Sequence, residues 1–259
     1  MTRVVLPVLT LWWREMLRFA RQRSRWTGAL LQPLVFWLLL GSGFSASFQP
    51  PGAPAGVGYG EYFYPGIIAM VILFTAIFST IAVVEDRREG FLQGVLVAPI
   101  GRTTIVLGQA LGGTTLALLQ GLLFLVLAPV VGIPLTAASV ARVAGVSALV
   151  AFGLVNLGLL IAWRLDSTQG FHSVMNLILL PMWFLSGALF PVAGAPVLLE
   201  WAMKVNPLTY GVAGLRQSLY WTSATAGALP PFSVSIFASL GFAVVMFAAA
   251  SLAAARKAL

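Results

Sequence analysis

TTIVLGQALGGTTLALLQGLLFLVLAPVV (residues 103–131), the turn GIPLT (132–136) and SVARVAGVSALVAFGLVNLGLLIAW (139–163) together decide the fold of this chain. Each flank exceeds the roughly 20 apolar residues that a helix needs to cross a hydrocarbon core about 30 Å thick. The five-residue link, with its glycine and proline, forces the two to run antiparallel. Inside hydrocarbon every backbone N–H and C=O must be paired, which leaves helices or closed barrels. The apolar runs are continuous rather than alternating, so barrel strands do not fit.

Working outward, similar charge-poor stretches occupy Thr27–Phe48, Tyr62–Val84, Gly170–Phe190 and Phe232–Ala255, which makes six. Composition agrees. The 259 residues are 59% hydrophobic and 8% charged, with mean hydropathy +0.96, whereas a domain covered by water carries about 25% charged residues. Lipid must therefore cover much of the surface. The expected fold class is an all-α integral membrane protein of six transmembrane helices, one domain spanning residues 1–259. No soluble domain or internal repeat is visible. The first apolar run starts too late for an ordinary cleavable leader and is expected to stay as an anchor.

Charge orients the spans. Six spans put both termini on one side, and twelve of the fifteen basic residues fall there. They are Arg3, Arg14, Arg18, Arg21, Arg23 and Arg25 before the first span, Arg87, Arg88 and Arg102 after the second, Arg164 after the fourth, and Arg256 and Lys257 in the tail. Only Arg142, Lys204 and Arg216 fall opposite. By the positive-inside rule the twelve-residue side is cytoplasmic, with both termini there. The net charge of +8 then reads as a topology and anionic-lipid signal, not as a nucleic-acid footprint, because the cations flank membrane segments.

Three segments outside the spans are patterned. Residues 1–26 are expected to form a cytoplasmic interfacial helix. Arg3, Arg14, Arg18, Arg21 and Arg25 share one stripe opposite Val5, Leu9, Trp12, Met16 and Phe19, with Trp12 and Trp13 at headgroup depth. In the loop 85–102 the cluster Glu85, Asp86, Arg87, Arg88 and Glu89 precedes Phe91, Leu92, Val95 and Leu96 at one-face helical spacing, and Ala98–Pro99 stops the helix. This face fits either interfacial packing or presentation to another protein. On the outer side, 191–231 reads as two short helices, Ala195–Val205 and Leu208–Trp221, broken at Asn206–Pro207. They are expected to dip into the membrane boundary with Glu200, Lys204 and Arg216 facing water.

The chemistry that is missing narrows the function. Zero cysteines exclude disulfides and thiolate sites. Neither lysine lies in a glycine-rich phosphate loop, so nucleotide binding of the P-loop kind is absent. The single histidine, His172, suits a packed or interfacial role or, less simply, a proton relay. All seven acids fall at or beyond span ends, which disfavours a carrier driven by protons or sodium, since such carriers keep ionisable groups at mid-depth. Gln109, Gln120, Asn156 and Asn176 are polar positions within spans, for interhelical hydrogen bonding or for lining a pathway. Gly108 and Gly112 form one small-xxx-small pair.

The stretch from Glu85 to Leu92, continuing through Leu96–Ile100 to Arg102 and Val106–Gly108, resembles the cytoplasmic-loop signature of permeases of type-2 ABC transporters (the ABC-2 family). Gly66–Met70 after Tyr64–Pro65, Ser186–Pro191, and Asn206, Pro207, Leu208, Thr209 and Tyr210 resemble further motifs of that family in the same order, closest to its drug-resistance and Nod-factor or polysaccharide exporter branch. The resemblance implies a six-span permease subunit of the plasma (inner) membrane that pairs with a second copy or close paralogue, exports an amphiphile, and couples to separate P-loop ATPase subunits. ATP and Mg would be bound on those partners, with no cofactor in this chain. It further implies that residues 3–25 and Glu85–Pro99 are docking elements and that 191–221 carries re-entrant helices. The alternative is a secondary transporter or channel that works without an ATPase.

Overall fold

The computed structural model describes residues 2–21, 23–44, 58–192, 195–220 and 230–256, without the side chains of 2–3 and 23–30. The side chain of Arg25, residues 45–57, residues 221–229 and the tail after Arg256 lie outside the described residues. Eleven α-helices and one 3-10 helix make up the described chain: α1 Thr2–Arg21, α2 Arg23–Gly43, α3 Tyr59–Ser79, α4 Ile81–Arg88, α5 Phe91–Val97, α6 Arg102–Leu125, the 3-10 helix Ala128–Val131, α7 Ala137–Ala162, α8 Thr168–Phe184, α9 Val197–Val205, α10 Pro207–Leu219 and α11 Phe232–Arg256. Four are long and apolar enough to cross a membrane: Tyr59–Arg88 (α3 running into α4), α6, α7 and α11. α2 adds the shorter apolar stretch Leu31–Gly43, and α8 has 17 residues.

α3 is the axis of the bundle. Every residue from Phe63 to Leu73 is buried, the mark of a helix hydrophobic all round its circumference. α2, α6, α7, α8 and α10 pack around it. Its buried polar groups are paired. The Tyr64 hydroxyl donates to the Phe124 carbonyl at 2.7 Å in the last turn of α6, and Trp183 Nε1 donates to the Gly66 carbonyl at 2.8 Å. α11 lies against α7 and α10 and leaves Phe237, Leu240, Val244, Val245 and Leu252 exposed.

Several boundaries differ from those read in the sequence. The amphipathic pattern of 3–25 divides, since α1 ends at Arg21 and Arg23 and Arg25 begin α2. The charged cluster Glu85–Arg88 is helix, not loop, because α4 continues α3 with only Thr80 between them. Thirty residues at 1.5 Å each reach about 45 Å, more than the hydrocarbon core, so the charged end projects beyond it. The span expected at 103–131 is α-helical only to Leu125, and Pro129 sits at the start of the 3-10 helix, where a missing N–H costs nothing. α8 ends at Phe184, short of the expected Phe190, and Gly187 turns the chain at φ +77°.

Among the described glycines, Gly66 makes the closest approach to a neighbouring backbone. A Cβ there would lie 2.6 Å from the Ala188 Cβ and 2.9 Å from its Cα, a backbone atom that cannot rotate away. We expect Gly66→Ala to destabilise the protein by about 1–3 kcal/mol through overpacking, read as a lowered unfolding midpoint in lipid nanodiscs. Gly145→Ala, at an exposed position with open space around it, should leave that midpoint unchanged or raise it.

Candidate functional site

At the charged end of the bundle, α1 lies along α6. The seat is cut by two glycines one turn apart. A Cβ on Gly108 would come 2.9 Å from the Leu11 Cβ, and one on Gly112 would come 2.9 Å from the Glu15 Cβ. The small-xxx-small pair thus admits α1. Val8 and Leu11 are buried there, and Trp12 Nε1 donates to Thr115 Oγ1 of α6 at 3.0 Å. Val5, Leu6, Leu9 and Trp13 are exposed as an apolar strip.

The arginine stripe does not simply face solvent. Arg14 donates both terminal nitrogens to the two Asp86 oxygens at 2.7 and 2.6 Å, the bidentate fork that suits guanidinium to carboxylate. Arg18 donates to Asp86 Oδ1 at 3.0 Å and also to Glu85. Asp86 is 1% exposed. Its hydrogen bond raises the Arg14 pKa above the ordinary guanidinium value, with burial acting in the opposite direction. The Arg14 guanidinium carbon also stands 3.8 Å over the Phe91 ring. One side chain of α1 therefore holds both α4 and α5. Arg87 turns the other way. It donates to the Leu165 carbonyl at 2.8 Å, the Trp163 carbonyl at 3.3 Å and Asp166 at 3.2 Å, capping the free carbonyls at the end of α7. Arg21 is exposed.

α5 turns off α4 at Gly90, whose φ of +79° suits a residue without a Cβ. It ends at Val97, with Ala98 extended before Pro99 as the sequence implies. Its apolar side turns inward. Leu92 is 2% exposed and belongs to the core, and Val95 and Leu96 pack against it. A seven-residue helix cannot stand alone, so its strongest apolar positions are spent holding it down. Phe91, Gln93, Gly94 and Val97 face outward, beside exposed Arg88 and Glu89. Arg102 closes the segment by donating to the Leu96 carbonyl at 3.1 Å.

The polar residues within spans separate. Gln120 Oε1 accepts from Thr75 of α3. Gln109, 9% exposed, borders a polar void of about 10 Å³ with Glu15, Ser79 and Thr80. Asn156 is fully buried, and its Nδ2 donates to the Phe152 carbonyl at 2.8 Å. Asn176 is exposed. It completes a stripe on α8 with Gln169, His172 and Ser173, all exposed and spaced at i, i+3, i+4 and i+7, one helical face. The same spacing is present in the sequence but is masked by the apolar residues between.

On the opposite end, Asn206 Oδ1 accepts from Leu208 N at 3.0 Å and its Nδ2 donates to the Met182 carbonyl at 2.6 Å, with Pro207 in the first turn of α10. Tyr210 donates to the Lys204 carbonyl at 3.0 Å. α9 exposes Val197, Leu198, Trp201 and Val205, but α10 is buried along its length. Arg216 therefore does not face water. It is 6% exposed, lies 4.1 Å over the Tyr62 ring and donates to the Tyr62 and Gly187 carbonyls at 3.3 and 3.2 Å.

Comparison with known proteins gives a consistent picture. The family described as ABC-2 type transporter matches residues 7–220. A putative transport permease ycf38 of Porphyra purpurea is 30% identical over 206 residues, covering 78% of this chain and 70% of that protein. That of Cyanophora paradoxa is 29% identical over 238 residues, covering 88% and 80%. Nodulation protein J of Rhizobium leguminosarum bv. trifolii is 29% identical over 191 residues, covering 73% and 71%.

Removing the charge of Asp86 tests how α1 is held. An exposed pair is worth up to about 1 kcal/mol and breaking a buried one costs about 3–5; this one, with a buried acid and half-buried arginines, falls between. Asp86→Asn should speed hydrogen exchange of α1 amides by about tenfold or more while α7 and α11 keep their protection. Unchanged exchange in α1 would show that the glycine seat alone holds it.

Proposed function

The chain belongs to the ABC-2 type transporter family as a multi-pass membrane permease subunit, and from that premise we propose that it couples a separate ATPase to export through a pathway built by two permease copies. The observation that carries this reading is the exposed face of α5 with Arg88, Glu89, Phe91 and Val97 outward, on a corner pinned to α1 through Arg14. A short amphipathic helix held rigidly beyond the hydrocarbon is suited to receive a push. The partner subunit binds ATP with its Mg and supplies the hydrolysis. Its closure displaces α5. Because Arg14 and Arg18 join α1 to α4, and α4 continues α3, the displacement reaches the central helix without an intervening flexible joint.

In this reading the six spans are α2, α3 with α4, α6, α7, α8 and α11. The Arg-rich end is cytoplasmic in the inner membrane, in contact with anionic lipid, and α9 and α10 form the re-entrant pair. The uncovered apolar side of α11 meets lipid. The polar stripe Gln169, His172, Ser173 and Asn176 of α8 does not suit hydrocarbon and faces the second copy, where the pathway for an amphiphile runs.

Two outcomes test this. Val97→Glu should abolish co-purification of the ATPase subunit while leaving the unfolding midpoint unchanged, whereas Leu92→Ala should lower stability by about 2–5 kcal/mol as a core truncation. Full export and partner retention in Val97→Glu would refute the docking face. Because the chain has no cysteine, Ser173→Cys should give an oxidant-dependent dimer in membranes and Val245→Cys on α11 should not.

A further inference from the structure

Pro65 stands inside α3, in its second turn. A helical N–H bonds the carbonyl four residues back, and proline has no N–H to give. The carbonyl left without that donor is the one of Glu61. The Tyr220 hydroxyl donates to it at 2.8 Å, from the end of α10. A side chain 159 positions away thus takes the place of the missing N–H, as a buried carbonyl requires. The neighbouring ties of α10 have a different character. Arg216 donates to the Tyr62 and Gly187 carbonyls, and the Tyr62 carbonyl has the Gly66 N–H as its ordinary helical donor. Thr209, near the start of α10, donates to the Met203 and Leu185 carbonyls at 2.6 and 3.2 Å, outside α3 altogether. Of these ties, the one made by Tyr220 replaces a bond that α3 cannot make for itself.

The two elements are therefore coupled in energy. While Tyr220 is docked, the first turns of α3 are complete. When it leaves, the Glu61 carbonyl loses its donor and both elements loosen. Apolar burial favours docking, since Leu215 and Leu219 are buried on either side of Arg216 and Tyr220. Arg216 works against it. Its guanidinium is buried with carbonyl and ring partners and with no carboxylate among the described residues, so release returns a costly buried charge to water. The last turn of α10 is held by opposed effects and not by one dominant contact.

We propose that the last turn of α10 and the first turns of α3 open and close as one unit, with Tyr220 the positioning residue that couples them by standing in for the N–H that Pro65 lacks. In the export reading, on which only this role rests, the unit passes movement of α3 to the outer end of the bundle. The coupling itself is tested on the permease without any ATPase. The cysteine-free chain allows a single thiol. Ser218→Cys, at a fully buried position between Arg216 and Tyr220, is reacted with a polar maleimide in nanodiscs. Ala117→Cys, fully buried in α6, reports global unfolding. Local opening should make Ser218→Cys react about tenfold faster or more than Ala117→Cys. Adding Tyr220→Phe should speed the reaction about tenfold, the scale of a hydrogen bond to a half-buried acceptor. Pro65→Ala restores an N–H to the Glu61 carbonyl, so α3 no longer depends on docking. It should speed the reaction about fivefold while leaving the unfolding midpoint unchanged or higher, because proline is removed from a helix. With both changes the reaction should be no more than about threefold faster than with Pro65→Ala alone. Thr209→Val should accelerate it equally with and without Pro65→Ala. Equal reactivity of Ser218→Cys and Ala117→Cys, a lowered midpoint in Pro65→Ala, or full multiplication of the Tyr220→Phe and Pro65→Ala effects would overturn the proposal. Retention of an ATPase by Val97→Glu would bear on the docking face at α5 and not on this coupling.

Discussion

Asp86 is a carboxylate that water scarcely reaches, and the architecture of the charged end follows from satisfying it. A buried carboxylate needs both a counter-charge and donors for its oxygens. Two arginines one turn apart on α1 supply four guanidinium N–H contacts to Asp86 and Glu85. To deliver them, α1 must lie flat against α6, and only residues without side chains allow that approach at 108 and 112. The glycine seat and the ion pairs are thus two halves of one requirement. Neither would be stable alone, since glycine contributes no contact area and an unaligned arginine leaves Asp86 uncompensated.

The same requirement explains why α4 is helical. Glu85, Asp86, Arg87 and Arg88 would be solvated in a loop. Held in a helix that extends α3, they point in different directions. Asp86 and Glu85 turn toward α1, Arg87 toward the end of α7, and Arg88 outward. Consecutive charges thereby tie together three elements that are distant in sequence. Each tie restrains the segment against its neighbours.

Much of this was legible in the sequence, and the misses share a cause. Apolar length located the helices, because the requirement for backbone pairing in lipid leaves little choice. Proline marked the end of α5, and the Asn206–Pro207 break marked the α9–α10 corner. Periodicity showed which residues of 3–25 share a face, but not what covers that face. The pattern left open what Arg14 and Arg18 meet, because nothing in their own segment names Asp86, some 70 positions away. Arg216 was misplaced for the same reason. Its partners are backbone carbonyls of Tyr62 and Gly187, and carbonyls leave no trace in a residue pattern.

The α5 face shows a different gap, in which the pattern was right and its direction was left open. Phe91, Leu92, Val95 and Leu96 do form one apolar side. A helix of seven residues has too little internal hydrogen bonding to persist unless packing stabilises it, so that side is drawn to the protein. What remains exposed is the weaker residue set, Val97 with Gln93 and the edge of Phe91. The Phe91 ring is half-committed, since its face already carries Arg14. Movement of Phe91 by a docked subunit would therefore act on the Arg14–Asp86 fork directly. Phe91 and Arg14, the residue that holds Asp86, are thus in contact.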